Sequence, residues 1–452
     1  MNYNFRSYNP NQLYLLPPSL DDWLPQDHLA RFISETVDQM DLSTLIMAYR
    51  ANGQGNAAYH PAMMVKVLLY AYCVGIPSSR KIEQALINDV AFRWLGVGNF
   101  PDFRTISEFR RKHLKALQGL FPQILLLCKT SGLVKAGVIA LDGTKIKANA
   151  SLSRNRTYEQ LSKEETWIKE KVDALLKQAE KTDQKEDRLY GDKRGDELPE
   201  ELNSAQKRLA KIREVKEYLE EKARKQAAAK AEKIKESQTG RKKPGRKPKD
   251  PDYTVKDKVN VTDPESRIQK TSKGYIQGYN AQAVATEDQV IVACDVVNEA
   301  NDFHQFQPMV EQAEQNLSEV DVSVKTVLAD AGYCSNDNLE YLESKDEIEG
   351  LVSTRKEREM RKTEPASGNT RRRSDRYKYM DRKLKKPVNR FIYGFRKWII
   401  EPVFGQMKHC RGLTSFLLRD LEKVQGEFSL WCITHNILKL YRSNLKDVAI
   451  SG

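Results

Sequence analysis

The spacing of hydrophobic positions changes several times along the chain, and each change marks a new segment. From the start to about residue 133 the period is helical. HLARFISETV reads as a helix that Asp27 could cap, and Pro61 stands where a proline opens a helix, ahead of MMVKVLLYAYCVGI. Past a turn at Gly75 and Pro77, SSRKIEQALINDVAFRWLG reads as one further helix. In PDFRTISEFRRKHLKALQGLFPQILLLCKTSGL, Thr105 or Ser107 could cap a helix that puts Phe109, Leu114, Leu117 and Leu120 roughly on one face. With Arg104, Arg110, Arg111 and Lys112 near one start, these helices suit a helix-turn-helix-like DNA reader or a plain bundle equally.

At AGVIALDGTKIKA the period becomes that of a strand. The apolar run Val138–Leu141 is closed by Asp142 and Gly143, and TKIKA could turn back from it as a hairpin. From about 155 to 238 the chain is crowded with Glu, Lys, Ala, Gln and Leu. Trp167, Ile168, Val172 and Leu175 form one apolar stripe; Leu209, Ile212, Val215, Tyr218 and Leu219 form another. This predicts two long charged helices in an antiparallel hairpin, with a merely solvated spacer as the plainer account of their role. The hairpin runs into TGRKKPGRKPKDPD, where glycines and prolines prevent regular structure and Arg241 and Arg246 are among six basic residues. Such a segment suits the A·T-rich minor groove in the manner of an AT-hook, or is a basic linker.

Beyond 272, KGYIQGYNAQAVATEDQVIVACDVVN predicts two antiparallel strands with a turn at Glu287 and Asp288. A helix over FHQFQPMVEQAEQNL follows, then the apolar strand VKTVLAD ending at Asp330, a turn and helix over AGYCSNDNLEYLES, and a short strand at EIEGLVST. After a basic stretch comes the helix FIYGFRKWIIEPVFGQMKH, which Pro402 should kink, and the tail EFSLWCITHNILKLYRSNL reads as a buried packing helix.

Charge changes the picture. Of 452 residues, 75 are Lys or Arg and 62 are Asp or Glu, a formal +13 that attracts polyanions, nucleic acid first among them. The six cysteines form no C-x-x-C pair and the six histidines show no ligand spacing, so reduced thiols and no zinc site are expected. No apolar run approaches membrane-spanning length and MNYNFRSYNP lacks a secretion-signal core, which points to the cytoplasm and no membrane partner.

Location singles out three acids. Asp142 and Asp330 each close an apolar strand, where a rigid element fixes a carboxylate, although strand-end acids are also common turn formers. Glu401 lies between Ile399–Ile400 and Val403–Phe404, where an ion pair with Arg396, Lys397 or Lys408 is the alternative to a functional role. Three convergent carboxylates with basic neighbours suit phosphodiester chemistry with two Mg²⁺ ions, roughly 3.5–4 Å apart.

These residues carry a resemblance. SYNPNQLYLLPPSLDDWLPQDHLARFI, YHPAMMVKVLLYAYCVGIPSSRKIEQA and RTISEFRRKH look like the InsH-type N-terminal domain of bacterial insertion-sequence transposases of the DDE type. IALDGTKIKANAS, TDPESR, GYIQGYNAQ, LADAGYCS and IIEPVFGQMKHCRGL resemble the catalytic core of the same enzymes. The likeness covers nearly the whole chain except the charged hairpin. It implies an α/β fold in which an RNase H-like mixed sheet is flanked by helices, with an all-α N-terminal domain and a long charged helical hairpin insertion. It also implies domains at 1–133, at 134–154 with 262–445, and the insertion at 155–261.

By the same resemblance Asp142, Asp330 and Glu401 are the catalytic, metal-binding triad. Tyr393, Arg396, Glu401 and Lys408 match a Tyr-Arg-Glu-Lys signature, except that Arg396 stands one residue further from Glu401, and Lys397 could take its place. Tyr393, Arg396, Lys397, Lys408 and Arg411 are then expected DNA contacts, with Arg241 and Arg246 in the linker. The implied cofactor is a pair of Mg²⁺ ions, with Mn²⁺ substituting. The implied partners are double-stranded DNA, as terminal inverted repeats and as target, and a second copy of the chain. Two alternatives stand beside this: a catalytically inactive DNA-binding descendant, and a stand-alone nuclease.

Overall fold

The computed structural model describes residues 19–49, 57–135, 137–190, 200–237, 258–354 and 374–451. The N-terminal part consists of α1 (Leu20–Trp23), α2 (Leu29–Asp38), α3 (Ser43–Ile46), α4 (Pro61–Cys73), α5 (Ser79–Asn88), α6 (Val90–Gly96), α7 (Phe103–Lys112), α8 (Leu114–Gln118) and α9 (Leu120–Thr130). Pro61 opens α4 as expected, but several caps differ from the sequence reading. His28, not Asp27, caps α2, its Nδ1 accepting from Ala30 N at 3.1 Å. Asp102 rather than Thr105 or Ser107 caps α7. Asp89 accepts from Ala91 N and Phe92 N, and so splits the expected single helix into α5 and α6.

The strands follow as β1 (Gly137–Lys147), β2 (Asn155–Arg156), β3 (Val259–Asn260), β4 (Arg267–Thr271), β5 (Gly274–Thr286), β6 (Ile291–Val297), β7 (Val324–Ala329) and β8 (Glu349–Val352). The main sheet runs β4-β5-β1-β7-β8, and β6 also pairs with β5. β1 is antiparallel to β5 and parallel to β7, and β7 is parallel to β8, so the sheet is mixed with β1 at its centre. One expectation fails here: the segment through Asp142 is not a hairpin but a single strand of 11 residues. The Asp-Gly pair that signals a turn elsewhere continues the strand, because β5 pairs with it on both sides of Asp142.

Helices α12 (Phe306–Ser318), α13 (Asn336–Glu343), α14 (Asp375–Lys385), α15 (Pro387–Gly405) and α16 (Leu421–Ser451) complete the chain. α4 is apolar around nearly its whole circumference, as a helix enclosed on all sides must be. It packs on α16, which lies between the N-terminal helices and β6. One continuous hydrophobic core therefore joins these helices to the sheet.

Between β2 and β3 stand α10 (Tyr158–Tyr190) and α11 (Glu200–Ser237), roughly 50 and 57 Å long at 1.5 Å per residue. Pairs from Tyr158 to Glu220 and from Glu165 to Lys216 show that the two helices run antiparallel. They enclose a separate apolar seam of Leu161, Ile168, Val172, Ile212 and Val215. Trp167 is not in it; the ring is exposed, with Lys171 over its face. β2 pairs with β3, closing the base of this helical pair. Arg241, Arg246 and most of the basic stretch before α14 lie outside the described residues. Among the described residues no helix is long and apolar enough to cross a membrane.

Candidate active site

Two strands deliver two acids to one place. Leu141 of β1 pairs with Ala329 of β7, so the residues that follow them, Asp142 and Asp330, lie side by side. Asp142 Oδ1 accepts from Gly143 N at 2.8 Å; Asp330 Oδ1 accepts from Gly332 N at 2.9 Å and caps the short turn Ala331–Tyr333. Burial pushes the Asp142 carboxyl up to about 6; Arg396 opposes this, while Asp330 and Asp302 add to it. Asp330 is raised as well, by burial first, against Arg396 and with the help of Asp302. Two half-buried carboxylates that repel each other form a site that favours added positive charge.

Helix α15 brings the third acid. Ile399, Ile400, Val403 and Phe404 are buried, which fixes the helix's rotation against β1 and β5 and leaves Glu401 at the rim, its side chain 52% exposed. Pro402 cannot donate to the Trp398 carbonyl four residues back, and Gln289 Nε2 fills that role at 2.7 Å. Arg396, its side chain only 10% exposed, links the acids: Nη1 lies 3.2 Å from Asp142 Oδ2 and Nη2 3.7 Å from Glu401 Oε1. Of the two basic candidates it is Arg396 that reaches both carboxylates; Lys397 is half-buried one position further on. Tyr393 is half-buried beside Arg396 and Ser353, and burial raises its hydroxyl.

After Gly405 the helix widens into one π-turn, Gln406–Cys410. Such turns recur at functional sites because they re-aim a side chain. Here Lys408 reaches β1, its Nζ donating to Thr144 Oγ1 and, at 3.2 Å, to Lys145 O. Burial lowers the Lys408 ammonium and Asp142 opposes the shift. Arg411 is not part of this group. It is buried, donating to Thr434 Oγ1 at 2.8 Å and to Trp431 O at 3.3 Å, with its guanidinium over the Trp431 ring. The expected phosphate contact is a core arginine, and Arg110, bonded to Tyr72, Pro77 and Ser79, is another.

A fourth carboxylate escaped the sequence reading. Asp302 Oδ1 accepts from Asn280 Nδ2 at 2.6 Å and Gln282 Nε2 at 2.9 Å, with Lys145 Nζ at 3.5 Å. Gln282 in turn accepts from the buried Tyr333 hydroxyl. A Cβ on Gly143 would lie 2.9 Å from Asp302 Oδ1, so the glycine is needed for close approach rather than for a turn. Asn280 and Gln282 alternate along GYNAQ at strand period, the one sequence signal that two polar groups share a face there. Among the described residues no three His, Cys, Asp or Glu side chains close on one point as a metal cluster. The cation that joins Asp142 and Glu401 is the Arg396 guanidinium.

Comparison with known protein families gives two matches. A model described as a transposase domain (DUF772) matches residues 18–112, and one described as a transposase DDE domain matches residues 246–437. The second span holds Asp302, Asp330 and Glu401, while Asp142 lies between the two matched spans. No curated protein and no solved structure matches the chain. A transposase domain followed by a DDE domain on one chain makes this protein a member of the DDE transposases of insertion-sequence type.

Proposed function

We propose that this chain cuts DNA at the ends of its own mobile element and joins the freed 3′ ends to target DNA, in one site built from Asp142, Asp330 and Glu401. The observation that carries the reading is the juxtaposition of Asp142 and Asp330 on paired strands, with Glu401 tied to Asp142 through one guanidinium. The sheet order, with two parallel strands on one side of β1 and antiparallel strands on the other, supports an RNase H-like core. The α10–α11 pair is then an insertion between the strand of the first acid and the return of the sheet.

The donor set is all carboxylate, which suits Mg²⁺ or Mn²⁺ and not a soft metal; burial first, and neighbouring carboxylates after it, raise the carboxyls of Asp142 and Asp330. Asp142, Asp330 and Glu401 would hold the ions, which when bound supply activation of the attacking oxygen and stabilisation of the leaving one. The chain's own residues do the positioning. Lys408, held by Thr144, would meet a phosphate beside Asp142, and Arg396, buried between Asp142 and Glu401, keeps the two carboxylates together. Phosphoryl transfer depends mainly on such placement, so hydrolysis and strand transfer can share the site. We infer a dimer pairing two element ends, in the compartment that holds the chromosome.

The test is Asp142→Asn in the full chain, incubated with Mg²⁺ and a duplex carrying an element end. Binding should persist while cleavage falls at least a thousandfold, on the order of losing a principal catalytic group. Cleavage at the wild-type rate would remove the assignment. Cleavage by the wild type without strand-transfer products would favour a stand-alone nuclease.

A further inference from the structure

At the foot of the helical pair is a cavity of about 390 Å³ whose walls carry Arg154, Arg156, Arg208, Lys211 and Arg419 against a single acid, Glu164. The five cations come from different places: the turn after β1, strand β2, helix α11 and the loop before α16. Folding, not a basic run in the sequence, collects them. Glu164 pairs with Arg208 and lies 4.0 Å from Arg156 Nε; Lys211 pairs with Glu214, 3.0 Å away. Arg419 Nε donates to Asn149 O at 3.0 Å. The Arg154 side chain has no hydrogen-bond or ion-pair partner among the described residues and is exposed. Gathering like charges around one hollow is unfavourable unless an anion answers them.

The walls are also held rigidly. The β2–β3 pairing, Asn260 Nδ2 to Ser151 O at 2.8 Å, and Asn155 Nδ2 to Gln277 Oε1 at 2.9 Å fasten the cavity to the catalytic sheet. No aromatic side chain lines it among the described residues, so it offers phosphate contacts and no stacking platform for a base. Asn149, which holds Arg419, follows Asp142 by seven residues, five along β1 to Lys147 (about 17 Å at strand rise) and two in the bend beyond it, roughly 20 Å in all. A DNA strand advances about 3.4 Å along the axis per nucleotide, so 20 Å is about six nucleotides.

We propose that this cavity grips the sugar–phosphate backbone of the element's duplex end about six base pairs from the scissile phosphate. The helical insertion thereby forms part of the DNA-binding surface. This rests on the transposase reading and adds to it the place where the duplex leaves the site.

The experiment uses the full-length protein, a labelled duplex containing one end of the element that encodes it, and binding measured across a range of salt. Arg154→Gln should lower the slope of log K against log salt by about one, and the Arg154→Gln/Arg419→Gln pair by about two. Arg154→Lys should restore the slope. Phosphate-ethylation interference about six nucleotides from the cut should vanish in the double variant. The Arg154 side chain makes no hydrogen bond or ion pair among the described residues, so its replacement should leave the melting temperature unchanged. Slopes and interference equal to wild type in both variants would overturn the proposal while leaving the transposase reading intact. Loss of binding to inorganic phosphate or single-stranded RNA, with duplex binding unchanged, would assign the cavity to another ligand and overturn it too. A wild-type protein that binds no duplex would overturn the transposase reading itself.

Discussion

The carboxyl of Asp142 sits at about 6 where an unfolded chain would have it near 3.8, and that shift has a definite sign. A carboxyl raised on folding contributes stability that is present at low pH and lost as pH rises through 6. The metal-free protein should therefore lose melting temperature between about pH 4 and 6, and Asp142→Asn should flatten that decline, a difference of roughly 1–3 kcal/mol at pH 7. Metal binding requires the deprotonated form, so Mg²⁺ or Mn²⁺ should raise the melting temperature at pH 7.5 much more than at pH 5. An equal rise at both pH values would show that Asp142 is not a ligand. Asp302 makes a second prediction at this scale. Asp302→Asn leaves one acceptor oxygen for Asn280 and Gln282 but removes the negative charge that Lys145 faces, and should cut cleavage at least tenfold with DNA binding retained. Gly143→Ala should do the same, because its methyl group would press on that carboxylate.

Elements were legible wherever their own residues set the period. Strands β5, β6 and β7 and helix α12 follow the sequence pattern because short apolar runs bounded by turn residues, or a 3.6 period, mark the segments that the core buries. The misreadings have a common cause: a local signal was outvoted by a distant partner. Asp-Gly at 142–143 has the chemistry of a turn, yet nine residues of β5 pair along β1 and hold it straight. Arg411 reads as a surface cation until Thr434 and Trp431, some twenty residues on, enclose it. Asp302, of which the sequence pattern says nothing, is placed only when β5 supplies Asn280 and Gln282. Helix α15 carries the prediction of this scale. Gln289 Nε2 answers the Trp398 carbonyl that Pro402 leaves open, and Lys439 holds its Oε1 at 2.8 Å. Gln289→Ala should cost about 1–2 kcal/mol in a denaturant melt and lower turnover, since the end of the helix bearing Glu401 loses its anchor.

For the molecule as a whole, the shared core matters more than any boundary between segments. Trp431 is buried where α16 meets α4, its ring edge-on to Tyr72 at 5.2 Å. Trp431→Ala should destabilise by about 3–5 kcal/mol. Because one apolar cluster spans the N-terminal helices and the sheet, both should melt in the same transition, readable by comparing hydrogen exchange in α4 and β1. Exchange lost in one and kept in the other would contradict a common unit. The seam of α10 and α11 is separate and should open independently.

The central position of β1 also sets an order of events during synthesis. Asp142 is made early, but its neighbours Ala283 and the strand ending at Ala329 follow about 140 and 190 residues later. At roughly 5–20 residues per second the ribosome needs about 7–28 s to deliver the first partner alone. The strand bearing the first acid must wait that long without a sheet, while the helical insertion emerges and can pair with itself. Arg396 and Glu401 arrive later still. A nascent or interrupted chain thus carries its N-terminal helices well before the proposed site can assemble.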